Sequence, residues 1–222
     1  MNGVHLIIAR YREDVEWVDA LGYPATVYDK SGDPLPGTVP LPNIGREAHT
    51  YLTHIIRHYD ELADLNVFLQ GGPFDHLFPH GGTPDDLRAA IAGCRRMNRP
   101  FTGLAWFKLD CDGLGRPHDL KKPENEGRWN GWGRDIPVAE IFEKLFAAET
   151  PERFIARGAT GNFAVRAERI RTRPRAFYEY ALSLIEADPG DHHNTGHAFE
   201  RLWHLIFNGY KVWNRESYPV EG

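Results

Sequence analysis

The chain has 222 residues, 26 of them basic and 31 acidic, with a net charge of −5 and 41% apolar residues, enough to bury a substantial core without disulfide or metal staples. No basic run is present, which argues against a protein wrapped in nucleic acid, because phosphate binding draws on clustered Lys and Arg. No stretch approaches the ~18 apolar residues of a membrane-spanning helix, and Cys94 and Cys111 are too few and too isolated for a disulfide framework or a cysteine zinc site, so both are expected to be buried thiols.

Val4 to Ala9 is a nearly continuous apolar run, the pattern of a strand covered on both faces. It has no basic leader before it and no small-residue cleavage site after it, so a signal peptide is not expected and a cytoplasmic location is. Glu13 to Leu21 carries Val15, Trp17, Val18 and Leu21 on a short helix closed by Gly22, and Ala25 to Tyr28 reads as a second strand. Residues 31–45 are dense in proline and glycine and predict a long loop. From Arg46 to Leu62 the apolar residues Ala48, Tyr51, Leu52, Ile55, Ile56, Tyr59 and Leu62 recur at helical spacing, so that face must lie on the sheet.

Asn66 to Leu69 reads as a third strand running into the turn-rich segment Gln70-Gly-Gly-Pro-Phe-Asp-His. Thr83, Pro84 and Asp86 signal a helix start, with the helix continuing to about Cys94, and Phe101 to Leu109 is strand-like. Residues 110–135 follow no period and contain Trp129 and Trp132, which predicts a long functional loop or lid. Helices at Val138 to Ala147, Pro174 to Ala187 and Gly196 to Phe207, a strand at Asn162 to Arg166, and an aromatic tail over 208–222 complete the chain. The tail is expected to dock on the domain through Tyr210, Val212, Trp213 and Tyr218. With no repeat and no dividing linker, residues 1–222 read as one three-layer α/β domain with a mostly parallel central sheet, in which ligands bind beyond the carboxyl ends of the strands.

That rule selects the residues just after each strand. Arg10 and Glu13 follow the first and Lys30 the second. Gln70, Asp75 and His76 follow the third, where Gly71 and Gly72 let backbone approach a ligand. Asp75 with His76 could hold a divalent ion or simply belong to a turn. Asp110 and Asp112 at i, i+2 are an alternative pair for a hard cation on a diphosphate, or a solvated acidic turn. Arg46 and Glu47 open the long helix after an Asn/Gly loop, where free backbone N–H groups favour an anion. His54 and His58 at i, i+4 lie off the apolar stripe and are expected to face solvent or a partner. In the last helix His197, Glu200, Arg201 and His204 make a narrow polar stripe on an otherwise apolar helix. Glu200 there is either half of an ion pair or a general base facing a cleft.

Five segments resemble, in order, those of an uncharacterised family of fungal and bacterial proteins. They are Ile8-Ala-Arg-Tyr-Arg-Glu-Asp, Leu41-Pro-Asn-Ile-Gly-Arg-Glu-Ala-His-Thr-Tyr-Leu, Asn66-Val-Phe-Leu-Gln-Gly, Gly161-Asn-Phe-Ala-Val-Arg and Glu200-Arg-Leu-Trp-His-Leu-Ile-Phe, spanning about residues 4–207. The arrangement is in turn similar to GT-A type glycosyltransferases, whose Rossmann-like sheet carries a nucleotide-sugar at its carboxyl edge. That resemblance implies a nucleotide-diphosphate sugar donor and an acceptor still to be identified, with Arg10, Lys30 and Arg46, or Mg or Mn on Asp75 and His76, at the diphosphate. It further implies Asn162 and Trp203 near the acceptor and Glu200 with His204 as the acid–base residues. The sequence departs from the usual acidic triplet after the third strand, which is Gln70-Gly-Gly-Pro-Phe-Asp-His here. Two other classes remain open: a metal-dependent phosphoester hydrolase built on Asp75, His76, Asp110 and Asp112, and a nucleotide- or carbohydrate-binding module without turnover.

Overall fold

A computed structural model describes residues 3–77, 81–106, 108–117, 135–158, 161–187 and 192–207. The lid residues Trp129 and Trp132 and the tail 208–222 lie outside the described residues. A six-stranded sheet forms the centre. Its strands are β1 (Val4–Arg10), β2 (Ala25–Asp29), β3 (Val39–Pro40), β4 (Leu65–Gln70), β5 (Phe101–Gly103) and β8 (Phe163–Arg166), in the order β3-β2-β1-β4-β8-β5. Pairing is parallel from β3 through β4, while β8 runs antiparallel to both neighbours, so β8 alone is reversed. A separate two-stranded antiparallel ribbon joins β6 (Lys108–Cys111) to β7 (Phe154–Arg157).

The alternation of side chains along β1 and β4 divides the core in two, as successive residues in a strand point to opposite faces. Ile7, Ala9 and Phe68 belong to one cluster and Leu6, Ile8, Val67 and Leu69 to the other. The first cluster is closed by α2 (Arg46–His58), α4 (Val138–Phe146), α6 (Arg175–Glu186), α7 (His192–Phe207) and the short α5 (Ala167–Ile170). The second is closed by α1 (Trp17–Leu21) and α3 (Pro84–Met97). The result is an α/β protein of three layers with a mostly parallel sheet. Helix α3 begins where its capping signal placed it: Thr83 accepts from the Asp86 amide and Asp86 answers to the Thr83 amide.

Several elements differ from the sequence expectation, among them α1, which begins at Trp17 rather than Glu13, and α5, which had no signal. Phe101 to Leu109 is not one strand but two, because the chain leaves the main sheet after Gly103 and restarts at Lys108 in the ribbon. β3, inside the proline-rich loop, and β7 are too short to show a period. Helix α7 starts at His192, a turn before Gly196. His54 is not solvent-facing: it is 3% exposed, 3.0 Å from the Tyr28 hydroxyl through Nδ1, stacked on His5 and in tilted ring contact with His58. Cys94 and Cys111 are buried free thiols.

Candidate functional site

The carboxyl ends of β1, β2 and β4 come together because Arg10 is in register with Asp29 and Ala9 with Gln70. The chain turns one way from β1 to reach β2 and the other to reach β4, and such a switch point opens a crevice beyond the strand ends. Two basic residues at this edge are committed inward. Arg10 donates to Asp29 Oδ2 at 2.5 Å and to the Glu13 carbonyl at 2.9 Å. Burial alone would raise the Asp29 carboxyl, but hydrogen bonds from Ser31 and Leu35 and the Arg10 charge outweigh it and hold the group below the usual range. Lys30, 4% exposed, donates through Nζ to the carbonyls of Ile44, at 2.5 Å, and Arg46. Its pKa falls to about 8 through burial, partly offset by Glu47. Arg10 and Lys30 therefore build the walls of the edge. Glu13 folds back the same way, accepting the amides of Tyr11 and Arg12 and packing against Gly71, where a Cβ would stand 2.7 Å from its carboxylate.

The turn that Lys30 grips is unusual. Gly45 (φ 60°) and Arg46 (φ 49°) are both left-handed, a conformation that costs a non-glycine residue about 1 kcal/mol or more. Gly196 of α7 lies directly against it, with an added Cβ falling 2.7 Å from the Gly45 carbonyl oxygen. This contact delivers Arg46 and Glu47 to the polar stripe of α7.

From there a ladder of side chains crosses the sheet edge. His76 Nδ1 donates to Gln70 Oε1 at 2.8 Å, and Asn162 Nδ2 donates to the same oxygen at 3.0 Å while its own Oδ1 accepts the Gln70 amide at 2.9 Å. Gln70 Nε2 donates to Glu47 Oε1 at 2.6 Å. Arg46 Nε stands 3.6 Å from Glu47 and 3.8 Å from Glu200. Glu200 is also 3.4 Å from His197 Nδ1 and 3.7 Å from Arg201. Arg46 Nε, Glu47 Oε2 and Arg201 Nε are buried and have no hydrogen-bond partner among the described residues. Polar atoms in that position ordinarily find a ligand or a water.

Electrostatics fix the state of the ladder. Burial would raise the Glu200 carboxyl, but the hydrogen bond and charge of His197, with Arg201 and Arg46, prevail and lower it, so Glu200 is ionised at neutral pH. Its side chain remains 15% exposed. Tyr51 is wholly buried beneath, donating to the Gly161 carbonyl at 2.6 Å, and burial together with Glu47 and Glu200 keeps its hydroxyl protonated. His204, one turn beyond Glu200, is pushed down to about 4 by burial and is a neutral imidazole. Trp203 is 1% exposed, packed with Phe163, Phe199 and Phe207, and supports the site from behind.

Of the residues singled out in the sequence, Arg46, Glu47, Gln70, His76, Asn162 and Glu200 are therefore brought together. The alternative acidic pair is elsewhere. Asp110 is in the ribbon, paired with Arg153 and Lys108, whose hydrogen bonds and charges overcome its burial and lower its pKa. Asp112 accepts the amides of Leu114 and Arg116 in a turn. Asp75 lies beside His76 with its carbonyl accepting from Trp106 Nε1. A hard divalent cation takes about six oxygen ligands, and among the described residues no group of three or more His, Cys, Asp or Glu is placed to hold one. By its spacing Tyr51 belongs to the apolar stripe of α2. Its position four residues after Glu47, on the same helix face, was the available signal.

A protein-family model described as Protein of unknown function (DUF3431) matches residues 6–218. No curated protein and no solved structure matches the chain.

Proposed function

We propose, from the premise that the chain belongs to the DUF3431 family, a glycosyltransferase-like enzyme of GT-A type architecture that moves a sugar from a nucleoside-diphosphate donor to an acceptor hydroxyl. The observation that carries this reading is the convergence of Arg46, Glu47, Gln70, Asn162 and Glu200 at the switch-point edge. Amides, carboxylates and a guanidinium are the groups that orient sugar hydroxyls, and polar atoms here with no hydrogen-bond partner among the described residues have capacity left for them. The sheet, parallel but for β8, is in keeping with that architecture.

In the reaction, the acceptor oxygen bonds to the anomeric carbon as the bond to the diphosphate oxygen breaks. The diphosphate leaves with that electron pair, and the acceptor proton passes to Glu200. Glu200 suits this role because its neighbours keep it ionised, and Arg46 places positive charge where the leaving group gains negative charge. Arg10 and Lys30 act through the backbone they hold.

The test is thermal shift and nucleoside-diphosphate release with a panel of nucleotide-sugars. One nucleotide class should raise the melting temperature. Glu200→Gln should keep that shift and lose release by about 10²-fold or more. A shift without turnover, unaffected by Glu200→Gln, would indicate the binding module instead. No shift with any nucleotide overturns the transferase reading.

A further inference from the structure

We propose a second binding site at the edge of the sheet opposite the ladder, a cavity of about 330 Å³ that Arg95 and Arg166 line and that takes a small phosphate ester. β8 runs against its neighbours, so Arg166 at its carboxyl end stands beside Leu65, where β4 begins. Gly3, Asp64, Leu65 and Asn98 complete the lining. From Leu65 to Gln70 β4 advances about 17 Å at ~3.3 Å per residue, which separates the cavity from the ladder. Arg95 is in the last turn of α3, where the helix dipole favours a cation whatever its use. Arg166 has no such reason to be there. Its Nη2 donates to the Arg95 carbonyl at 3.2 Å, whereas its Nε is buried and has no acceptor among the described residues. A buried N–H of a charged group left without an acceptor is costly, so the fold holds a donor that the chain itself does not satisfy.

Charge decides the class of ligand. Asp64 is the one carboxylate in that lining among the described residues, and it forms no ion pair with either arginine. Two cations against one anion leave the cavity positive. The Arg95 guanidinium and the Asn98 amide are likewise without a partner among the described residues. Guanidinium groups bind carboxylates and phosphates through charge-assisted hydrogen bonds. Here the donors come from three residues, and a phosphate ester has three terminal oxygens to receive them where a carboxylate has two. The volume is at the small end of ligand pockets, room for a phosphate and a short hydroxylated body whose O–H groups can donate to Asp64.

Titration of the full chain with inorganic phosphate, glycerol 3-phosphate and acetate, followed by calorimetry and by ¹H–¹⁵N spectra of the arginine Nε–H groups, tests the site. Glycerol 3-phosphate should bind most tightly and move the Arg166 Nε–H signal, with acetate about tenfold weaker or more. Arg95→Gln keeps the backbone carbonyl that Arg166 uses and should weaken glycerol 3-phosphate about tenfold. Asp64→Asn should tighten inorganic phosphate by removing the opposing charge. No binding of either phosphate at millimolar concentration, an Arg166 Nε–H signal that does not move, acetate binding as tightly as glycerol 3-phosphate, or binding indifferent to Arg95→Gln overturns the proposal. The spectra are read on the unaltered chain, so they decide even where a variant loses stability. The site stands or falls independently of the transferase reading, because Gln70 and Glu200 have no part in it.

Discussion

Lys30 illustrates how a basic residue at a sheet edge can serve a site without touching a ligand. Its ammonium is buried, which costs free energy, and two carbonyls of the Ile44 to Arg46 turn repay part of that cost with charge-assisted hydrogen bonds. Those same bonds hold Arg46 in its left-handed conformation. Lys30→Met should therefore lower stability by about 1.5–3 kcal/mol, the scale of a hydrogen bond to a charged group, measured by urea unfolding. If its stability is unchanged, the turn is held by something else. The sequence placed Lys30 correctly at the strand end, but polarity there has two explanations, an outward ligand contact and an inward strap. Only the position of Ile44 and Arg46 relative to β2 decides between them.

At the scale of elements, the junction of α2 and α7 is where the site is made or lost. Gly196→Ala would drive a methyl into the Gly45 backbone, which has no flexible end to move aside, and should cost about 1–3 kcal/mol while separating Arg46 from Glu200. Gly93→Ala in α3 is the control of opposite sign: the nearest atom to its added Cβ is the Met97 methyl at 3.9 Å, so it should gain about 1 kcal/mol of helix propensity. Loss of stability in both, or in neither, would contradict this account of α7 packing. The long elements were legible because periodicity reports which face is buried: β1, α3 and α6 lie close to where the pattern put them, and α2 starts at Arg46 as expected but ends at His58, a turn before Leu62. β3, β6 and β7 were not: β3 is two residues inside a proline-rich loop, and β6 and β7 pair only with each other, apart from the main sheet. His54 was misplaced because burial of a polar residue depends on partners from other elements, here Tyr28, His5 and His58.

The whole molecule carries a set of histidines kept neutral by burial, with His49 and His204 lowered to about 4 and His54 to about 3. In the unfolded chain each titrates near its ordinary value of about 6.5, so below that pH the unfolded state binds more protons than the folded one. Stability is then present above about pH 6.5 and falls as pH drops toward 4, with a slope of roughly 1.4 kcal/mol per pH unit for each histidine that stays neutral. Urea midpoints at pH 7.5, 6.5, 5.5 and 4.5 should decline in step, and His54→Gln should flatten the decline. A level profile between 7 and 5 would mean that these rings are not buried neutral. Topology at this scale was legible only as a class. The residues facing the sheet edge could be named from the sequence, whereas their meeting in one ladder depends on α7 returning to α2 across most of the chain. The reversed strand has a consequence for biosynthesis. β8 sits between β4 and β5, yet it is translated after both. Until the ribosome has delivered residues 163–166, β4 presents an unpaired edge and the central sheet cannot close. The nascent chain must therefore carry that open edge while the residues between β4 and β8 are made, a period in which the edge is exposed to pairing with neighbouring chains.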